Sequence, residues 1–294
     1  MAARLDAGLR WDREALLASP WFAAVHHLLA RLPQERFPSL DDLNALARER
    51  GVRTGGEMPL TFVPAAASGK GLDGQYEVRV FRTGEVPTRS DGWHDLFNAL
   101  AWLAFPRTKA TLNRIHHDEL VRRWGEPTRG TARDVATLFD EGGVVVACAA
   151  PPLARLLAEF RWKELFWTRR HDAIAAMRFL VLGHAILERA FAPYKGVTAK
   201  ALVIDVAPEA LALPLAALVD LLDARAADHF ARPGALDSTR ALEPLPVLGI
   251  PGWTAENVDP SYYDDKTVFR PGRTRSRTPQ RRRRGPDQRR GSQG

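Results

Sequence analysis

Histidine, asparagine and acidic side chains recur at helical spacing within otherwise apolar stretches of the chain. His94 and Asn98 are four residues apart in SDGWHDLFNALAWLAF, so they share one face of a helix predicted from Trp93 to about Phe105. That helix is apolar nearly all round, which indicates burial. An unsatisfied buried polar group costs roughly 1–3 kcal/mol. The pair therefore predicts either a hydrogen-bonded core or the wall of a ligand pocket.

A second cluster lies on the next predicted helix, residues 108–124. Asn113 and His117 are four residues apart there, and His116 and Glu119 are three apart. A histidine and a glutamate separated by one turn can ligate one metal ion from a single helix, although a metal site needs three or four protein ligands. The alternative interpretation is a surface His–Glu pair worth a few tenths of a kcal/mol.

A third cluster, TARDVATLFDEGG, ends in the adjacent acids Asp140 and Glu141. The β-like runs on either side of Gly142 and Gly143 predict a hairpin with the acids at its tip. Acidic side chains at a turn usually stabilise the turn by hydrogen bonds to its backbone. A carboxylate pair at a strand end can also hold a divalent ion or move a proton. Both interpretations remain open at this stage.

The fourth cluster is GHAILERA, where His184 and Glu188 are four residues apart on a predicted helix of otherwise apolar residues. Lys200 stands just before a predicted buried strand. Its ammonium group could meet a phosphate or a carboxylate, although a lysine in this place is also unremarkable. No phosphate-binding loop, GxSxG or HExxH motif accompanies these clusters.

Together the clusters predict an enzyme-like pocket where the helix from Trp93 meets the hairpin and the His184 helix. The expected reaction class is metal-assisted hydrolysis, with a phosphoester as a candidate substrate and a divalent ion that lowers the pKa of a bound water. The expected catalytic groups are His94, Asp140, Glu141 and His184. The expected metal ligands are His116, His117, Glu119 and Glu188. The expected binding groups are Asn98, Asn113, Lys200, Arg281, Arg282, Arg283 and Arg284.

The basic charge of the chain is concentrated in its last residues. Ten arginines and one acid, Asp287, give residues 270–294 a charge of +9, whereas the whole chain carries +7 and residues 1–269 therefore carry −2. Such a tail predicts disorder and salt-sensitive contact with nucleic acid, or only a solvated appendage. The rival hypothesis follows: a non-catalytic scaffold or binding protein that an arginine-rich tether attaches to RNA, DNA or ribosomes.

Composition predicts a soluble cytoplasmic protein. The single cysteine, Cys148, excludes an internal disulfide and a cysteine-clustered metal site. The first residues contain acids and no continuous apolar stretch, so we expect no signal peptide. No window approaches the roughly 20 apolar residues that span a bilayer, so we expect no membrane insertion.

The pattern of elements predicts an α+β or mixed α/β fold, dominated by helix, with a few short strands. We expect one globular domain over residues 1–269, with a helical part at 1–60 and a core at 75–269, and a disordered tail at 270–294. Strands are predicted at 75–81 and 199–206 and on both arms of the hairpin. Residues 152–191 are predicted to be helical. Asp12 and Ser39 are expected to cap N-terminal helices, and Gly51 to end the second.

Several blocks of the sequence, taken in order, resemble a bacterial domain-of-unknown-function family (DUF3025). The resemblance spans roughly Trp93 to Arg270 and implies a self-contained bacterial cytoplasmic domain with no assigned activity. The blocks that carry it are WHDLFNALAWLAFPRTKATLN, RDVATLFDEGGVVV, FRWKELFW, MRFLVLGHAILE, PYKGVTAKAL and LPVLGIPGWTAENVDPSYYDD.

Overall fold

A buried strand, GVVVAC, lies in the larger of two sheets. Its β-branched residues favour extended backbone, and all six positions are buried, as expected of a strand covered on both faces. The computed structural model describes residues 10–65 and 69–272. In these ranges the strands are β1 (Thr61–Pro64), β2 (Glu85–Thr88), β3 (Gly143–Cys148), β4 (Met177–Val181), β5 (Thr198–Asp205) and β6 (Glu243–Pro246).

Helices dominate the described residues, which confirms the predicted fold class. The α-helices are α1 (Arg13–Ala18), α2 (His26–Leu29), α3 (Leu40–Glu49), α4 (Tyr76–Thr83), α5 (Trp93–Ala104), α6 (Pro106–Arg122), α7 (Thr131–Gly142), α8 (Pro151–Ala158), α9 (Arg170–Ala176), α10 (His184–Arg189) and α11 (Leu215–Ala231). A π-helical turn covers Glu164–Thr168. Short 3₁₀ helices cover Pro20–Val25, Pro208–Ala212, Thr239–Ala241, Val247–Gly249, Ala255–Val258 and Pro260–Asp264.

The larger sheet has the strand order β4-β3-β5-β6. β3 pairs in parallel with β5 and antiparallel with β4, so Val145 lies between Leu180 and Leu202. β6 is antiparallel to β5 and carries prolines, as edge strands often do. β1 and β2 form a separate parallel pair. The predicted strand at 199–206 is confirmed as β5.

Local signals near the start of the chain are confirmed. The side chain of Asp12 accepts a hydrogen bond from the backbone of Ala15, and Ser39 and Asp42 form a reciprocal capping box at the start of α3. Gly51 has φ of 61° just after α3, in the left-handed region that favours glycine. α5 is buried along nearly its whole length, as its apolar composition predicts.

Three predicted elements are wrong. Residues 76–81 form part of α4, in which Val78 and Val80 are both buried, and this helix packs against α6 and β2. The predicted hairpin is a helix followed by a strand: α7 ends at Gly142 and β3 begins at Gly143. The predicted helical stretch 152–191 is interrupted by β4, whose five residues pair with β3.

The apolar side chains of the helices and the larger sheet form one continuous core. Trp102 of α5 and Phe139 of α7 are among the largest fully buried side chains. Within residues 10–65 and 69–272, no helix combines the length and apolar character needed to cross a bilayer. Of the predicted tail at 270–294, residues 273–294, with Arg281, Arg282, Arg283 and Arg284, lie outside the described residues.

Candidate active site

A pocket of about 400 Å³ opens beside the larger sheet, where α4, α5, α6, α7 and the start of α10 converge. Its wall contains titratable side chains from all five helices. The polar side chains of the lining include Glu77, His94, Asn98, His116, Asp140 and His184. The structure therefore brings His94, Asp140, Glu141 and His184 together around one cavity, although Asp140 and Glu141 sit at a helix end and not at a hairpin tip.

α5 and α10 bring two histidines and a glutamate into contact. Nδ1 of His94 lies 3.2 Å from a carboxylate oxygen of Glu188. The rings of His94 and His184 meet edge to face, with centroids 4.6 Å apart. His94 is one turn from Asn98 on α5, and His184 is one turn from Glu188 on α10, so both sets share a helix face as their spacing predicts. The arrangement holds His94 between a carboxylate and a neutral imidazole.

A close backbone approach places His184 beside α7. The carbonyl of Gly143 accepts hydrogen bonds from the amides of Leu182 and Gly183, at 3.0 and 2.9 Å. A Cβ at position 183 would lie 2.5 Å from the Glu141 carbonyl oxygen and from the Gly143 nitrogen. Only glycine permits this contact, and α10 begins at the next residue. The end of α7 and the start of α10 are therefore joined through their backbones.

A buried lysine that sequence reasoning missed holds Asp140. Lys109 is 4% exposed, and its ammonium group forms an ion pair with Asp140 and donates to Oδ1 of Asn98 at 3.0 Å. Asn98 in turn donates to the hydroxyl of Tyr76 at 3.0 Å. The available signal was spacing: Lys109 precedes Asn113 and His116 by four and seven residues, so all three lie on one face of α6.

Opposing influences set the protonation of Asp140 and His184. Burial is the largest single influence and disfavours the charged form of Asp140, yet Lys109, through its charge and its hydrogen bond, and the neighbouring histidines together keep the pKa of this carboxyl below its usual value. Burial lowers the pKa of His184 to about 4, against the attraction of the Asp140 carboxylate. Nδ1 of His184 lies 3.8 Å from Asp140, beyond hydrogen-bond distance. Near neutral pH, Asp140 is thus an anion and His184 is a neutral imidazole.

Glu77 is a carboxyl group of the pocket that sequence reasoning missed, because the sequence predicts a strand over residues 75–81. Its carboxyl accepts a hydrogen bond of 2.7 Å from the side-chain amide of Asn113, which also donates to the Glu77 backbone carbonyl at 3.0 Å. Burial raises the pKa of Glu77 above its usual value, even though His116 and Lys109 favour its anion. Asn113 therefore acts on the pocket by positioning Glu77.

The structure does not bring all the predicted metal ligands together. His116 borders the pocket, and Glu188 reaches it through His94. His117 points elsewhere, with its ring stacked on Phe81 at 3.7 Å, and Glu119 is engaged by two arginines of its own helix turn. Within the described ranges, no group of three or more His, Cys, Asp and Glu side chains is arranged to hold a metal ion.

Lys200 also lies away from the pocket. It is the third residue of β5, where it pairs with Gly143 of β3 and Pro244 of β6. The lysine that contributes to the pocket is Lys109. Lys200 is thus a residue of the sheet and does not line the pocket.

Comparison with known proteins places the pocket in a family. The sequence pattern of the family described as "Protein of unknown function (DUF3025)" matches residues 60–273, a range that contains every pocket residue discussed above. Searches of curated proteins and of solved structures give no significant match. Because the matched range covers well over half of the 294 residues, the chain belongs to the DUF3025 family.

Proposed function

We propose that the pocket is the active site of a hydrolase-like enzyme that works by acid–base proton transfer. The observation that carries this proposal is the contact between His94 and Glu188, which faces a cavity that also contains Glu77 and Asp140. Groups able to accept and to donate a proton therefore share one pocket. Hydrolysis needs both, because water must lose a proton and the leaving group must gain one.

His94 is assigned as the general base. When Nδ1 carries its hydrogen, it donates to the Glu188 carboxylate, and the lone pair on Nε2 is left for the pocket. A carboxylate in this position fixes the imidazole tautomer and stabilises the imidazolium that forms on proton uptake, as in catalytic triads. We assign this tautomer from the hydrogen-bond network. Glu188 is thus a positioning residue for His94.

Glu77 is assigned as the general acid. Its raised pKa favours a protonated carboxyl, whereas Asp140, held by Lys109, stays ionised. Two carboxyl groups whose surroundings shift their pKa values in opposite directions are a recurrent basis for acid and base roles in one site. The neutral ring of His184 lies against His94 and adds no charge that would oppose protonation of the base.

Activation of water is assigned to His94 and not to a protein-bound metal. Metal-assisted hydrolysis needs about three protein ligands around the ion. The donor groups of the described residues do not supply such a set. The ammonium group of Lys109 already neutralises Asp140, which would otherwise be the best-placed carboxylate for a cation. The proposed reaction is therefore still a hydrolysis, in which the imidazole of His94 activates the water molecule.

We also propose a cytoplasmic site of action. The single cysteine, Cys148, is buried, and burial raises the pKa of its thiol, so it is protected as an unreactive thiol. A protein that uses no disulfide suits a reducing compartment.

The proposal is tested by His94→Ala and Glu188→Gln, with His171→Ala as the matched control because His171 is an exposed histidine outside the pocket. Hydrolysis of p-nitrophenyl carboxylic and phosphate esters is measured with and without a chelator. We expect His94→Ala to lower kcat by about 10²–10⁴-fold, the usual contribution of a general base. The control should keep full activity, and chelation should leave wild-type activity unchanged.

A second measurement does not depend on the choice of substrate. Ring ¹⁵N chemical shifts of His94 report which nitrogen carries the proton. We expect the Nδ1–H form in the wild type and a mixture of tautomers in Glu188→Gln. Identical tautomer populations in the two proteins would contradict the role assigned to Glu188, and full activity of a folded His94→Ala would contradict the role of His94.

A further inference from the structure

Two arginines border the pocket without an acidic partner among residues 10–65 and 69–272. Arg129 donates one hydrogen bond, of 3.2 Å, to the hydroxyl of Thr137. The side chain of Arg133 forms no hydrogen bond or ion pair with the described residues, and its Nε is shielded from solvent. Burial, and next the charge of Arg129, lowers the pKa of Arg133. This end of the pocket therefore holds two guanidinium groups that form no ion pair with the described residues.

Three acids act on the charge of Arg133, in decreasing order Glu77, Asp134 and Glu119, but none of the three forms an ion pair with it. Glu119 accepts hydrogen bonds from Arg122 at 2.7 Å and from Arg123 at 3.2 Å. Gly130, with φ of 82°, lets the chain turn tightly against this group, since a Cβ there would lie 2.8 Å from Nε of Arg123. The turn brings Arg129 and Arg133 to the pocket while Glu119 stays with its own two arginines.

α7 spans the distance between Arg133 and Asp140 in the wall of the pocket. Arg133, Thr137 and Asp140 lie at positions i, i+4 and i+7 of this helix, so they share one face. Seven residues of helix span about 10 Å. A molecule of small-metabolite size can thus place an anionic group at the arginines and its reacting bond near His94.

A phosphate group fits the positive end best. Two guanidinium groups without an ion-pair partner among the described residues are balanced by a dianion, whereas a carboxylate would leave one positive charge uncompensated. Planar guanidinium groups also form paired hydrogen bonds with phosphate oxygens. His116 borders the same pocket, is 4% exposed and has an Nδ1 with no partner among the described residues.

We infer that Arg129 and Arg133 bind the phosphate group of a small phosphorylated substrate. The phosphate serves as the group by which the substrate is recognised, and the bond to be hydrolysed lies toward His94. This inference rests on the proposed function for the reacting end, but binding of phosphate itself does not require catalysis.

The experiment measures binding of inorganic phosphate to the full chain by isothermal titration calorimetry at constant ionic strength, with acetate as the carboxylate probe. We expect phosphate to bind more tightly than acetate. Arg133→Gln and Arg129→Gln should each weaken phosphate binding by about tenfold or more, since each removes a positive charge and its hydrogen bonds to the anion. Arg169→Gln is the matched control, because Arg169 is an exposed arginine paired with Asp172 outside the pocket and its replacement should leave the affinity unchanged.

The outcomes separate this inference from the proposed function. His94→Ala should bind phosphate normally, because it removes the base and keeps both arginines. Equal affinity of wild type and both folded arginine variants, or acetate binding as tight as phosphate binding, overturns the inference whatever the activity assays show. Arg133→Lys gives a second variant if Arg133→Gln fails to fold: intermediate affinity supports the inference, and unchanged affinity in both Arg133→Lys and Arg129→Gln overturns it.

Discussion

The carboxylate of Asp140 is flanked by two groups of opposite chemistry. Lys109 is a buried cation that keeps Asp140 ionised, whereas His184 is a buried base that stays neutral. A buried ion pair adds little net stability, because desolvation of both ions offsets their attraction. What the pair contributes is a fixed anion beside a neutral imidazole. Burial of the ring, together with the charge of Lys109, makes the protonation of His184 costly in the folded protein, even though the Asp140 carboxylate favours it.

Stability should therefore fall as the pH falls from about 6.5 toward 4. Folding lowers the pKa of His184 from 6.5 to about 4, so the unfolded chain binds a proton in this window and the folded chain does not. The shift corresponds to about 3 kcal/mol of unfolding free energy, present above pH 6.5 and lost on acidification. Urea denaturation of the wild type and His184→Gln across this range measures the difference.

The difference in stability between the two proteins should shrink as the pH falls. His171→Gln serves as the control, because His171 is exposed, and its stability curve should run parallel to that of the wild type. Parallel curves for His184→Gln and the wild type would show that His184 is not held neutral by burial.

Among the secondary-structure elements, α6 is the one that links the pocket to the rest of the fold. One face of it carries Lys109, Asn113 and His116, and its first turn is anchored by α11. The buried carboxylate of Asp223 accepts hydrogen bonds from the backbone amides of Arg107 and Thr108, at 3.0 and 2.8 Å. Asp223 thus caps α6 from another helix, in the place where the helix supplies no cap of its own.

Removal of this cap should destabilise the protein and loosen the pocket. Asp223→Ala leaves two backbone amides without partners and should cost about 2 kcal/mol of unfolding free energy. Asp220→Ala is the matched control, because Asp220 lies one turn earlier on α11 in an exposed pair with Arg50 and should cost no more than about 1 kcal/mol. Equal losses in urea denaturation of the two variants would refute the capping role.

Much of the candidate site was accessible from the sequence, because helical spacing reports which side chains share a face. His94 with Asn98 and His184 with Glu188 were grouped in this way. Glu77 was missed because Val78 and Val80 alternate with polar residues as in a strand. In α4 both valines are buried, and the helix packs against α6 and β2. That packing depends on the tertiary structure and cannot be read from the local sequence.

The hairpin predicted at Gly142 and Gly143 was wrong because the local sequence does not report the tertiary context. Adjacent glycines favour a turn, yet here one ends α7 and the next begins β3, so the chain continues straight into the sheet. Lys109 was overlooked because a lysine near a helix start is ordinarily solvated. Its burial depends on Asp140 and Asn98, which come from two other helices.

For the whole molecule, the difference in net charge between residues 1–269 and residues 270–294 suggests a test of the tether hypothesis. Residues 1–269 carry −2 and residues 270–294 carry +9. The continuous core lies within the described residues. The backbone of Arg270 accepts a hydrogen bond from Trp162, so a deletion is best placed after Gly272.

Deletion of residues 273–294 should leave the melting temperature within about 1 °C of the full chain, because the deletion keeps every core side chain of the described residues. Filter binding to single-stranded RNA over a salt series then tests the tether hypothesis. We expect the full chain to bind at low salt with steep salt dependence, and the truncated chain not to bind. If both bind RNA equally well, the arginine-rich segment is not a nucleic-acid tether.

The glycine contact between α7 and α10 has a consequence for how the pocket can diverge. Backbone atoms of Gly143 and Gly183 fix the spacing between the helices that carry Asp140 and His184. Exchange of side chains at the far rim, at Arg129 or Arg133, leaves that spacing untouched. New ligand preferences can therefore arise at one end of the cavity while the proton-transfer machinery at the other end keeps its alignment.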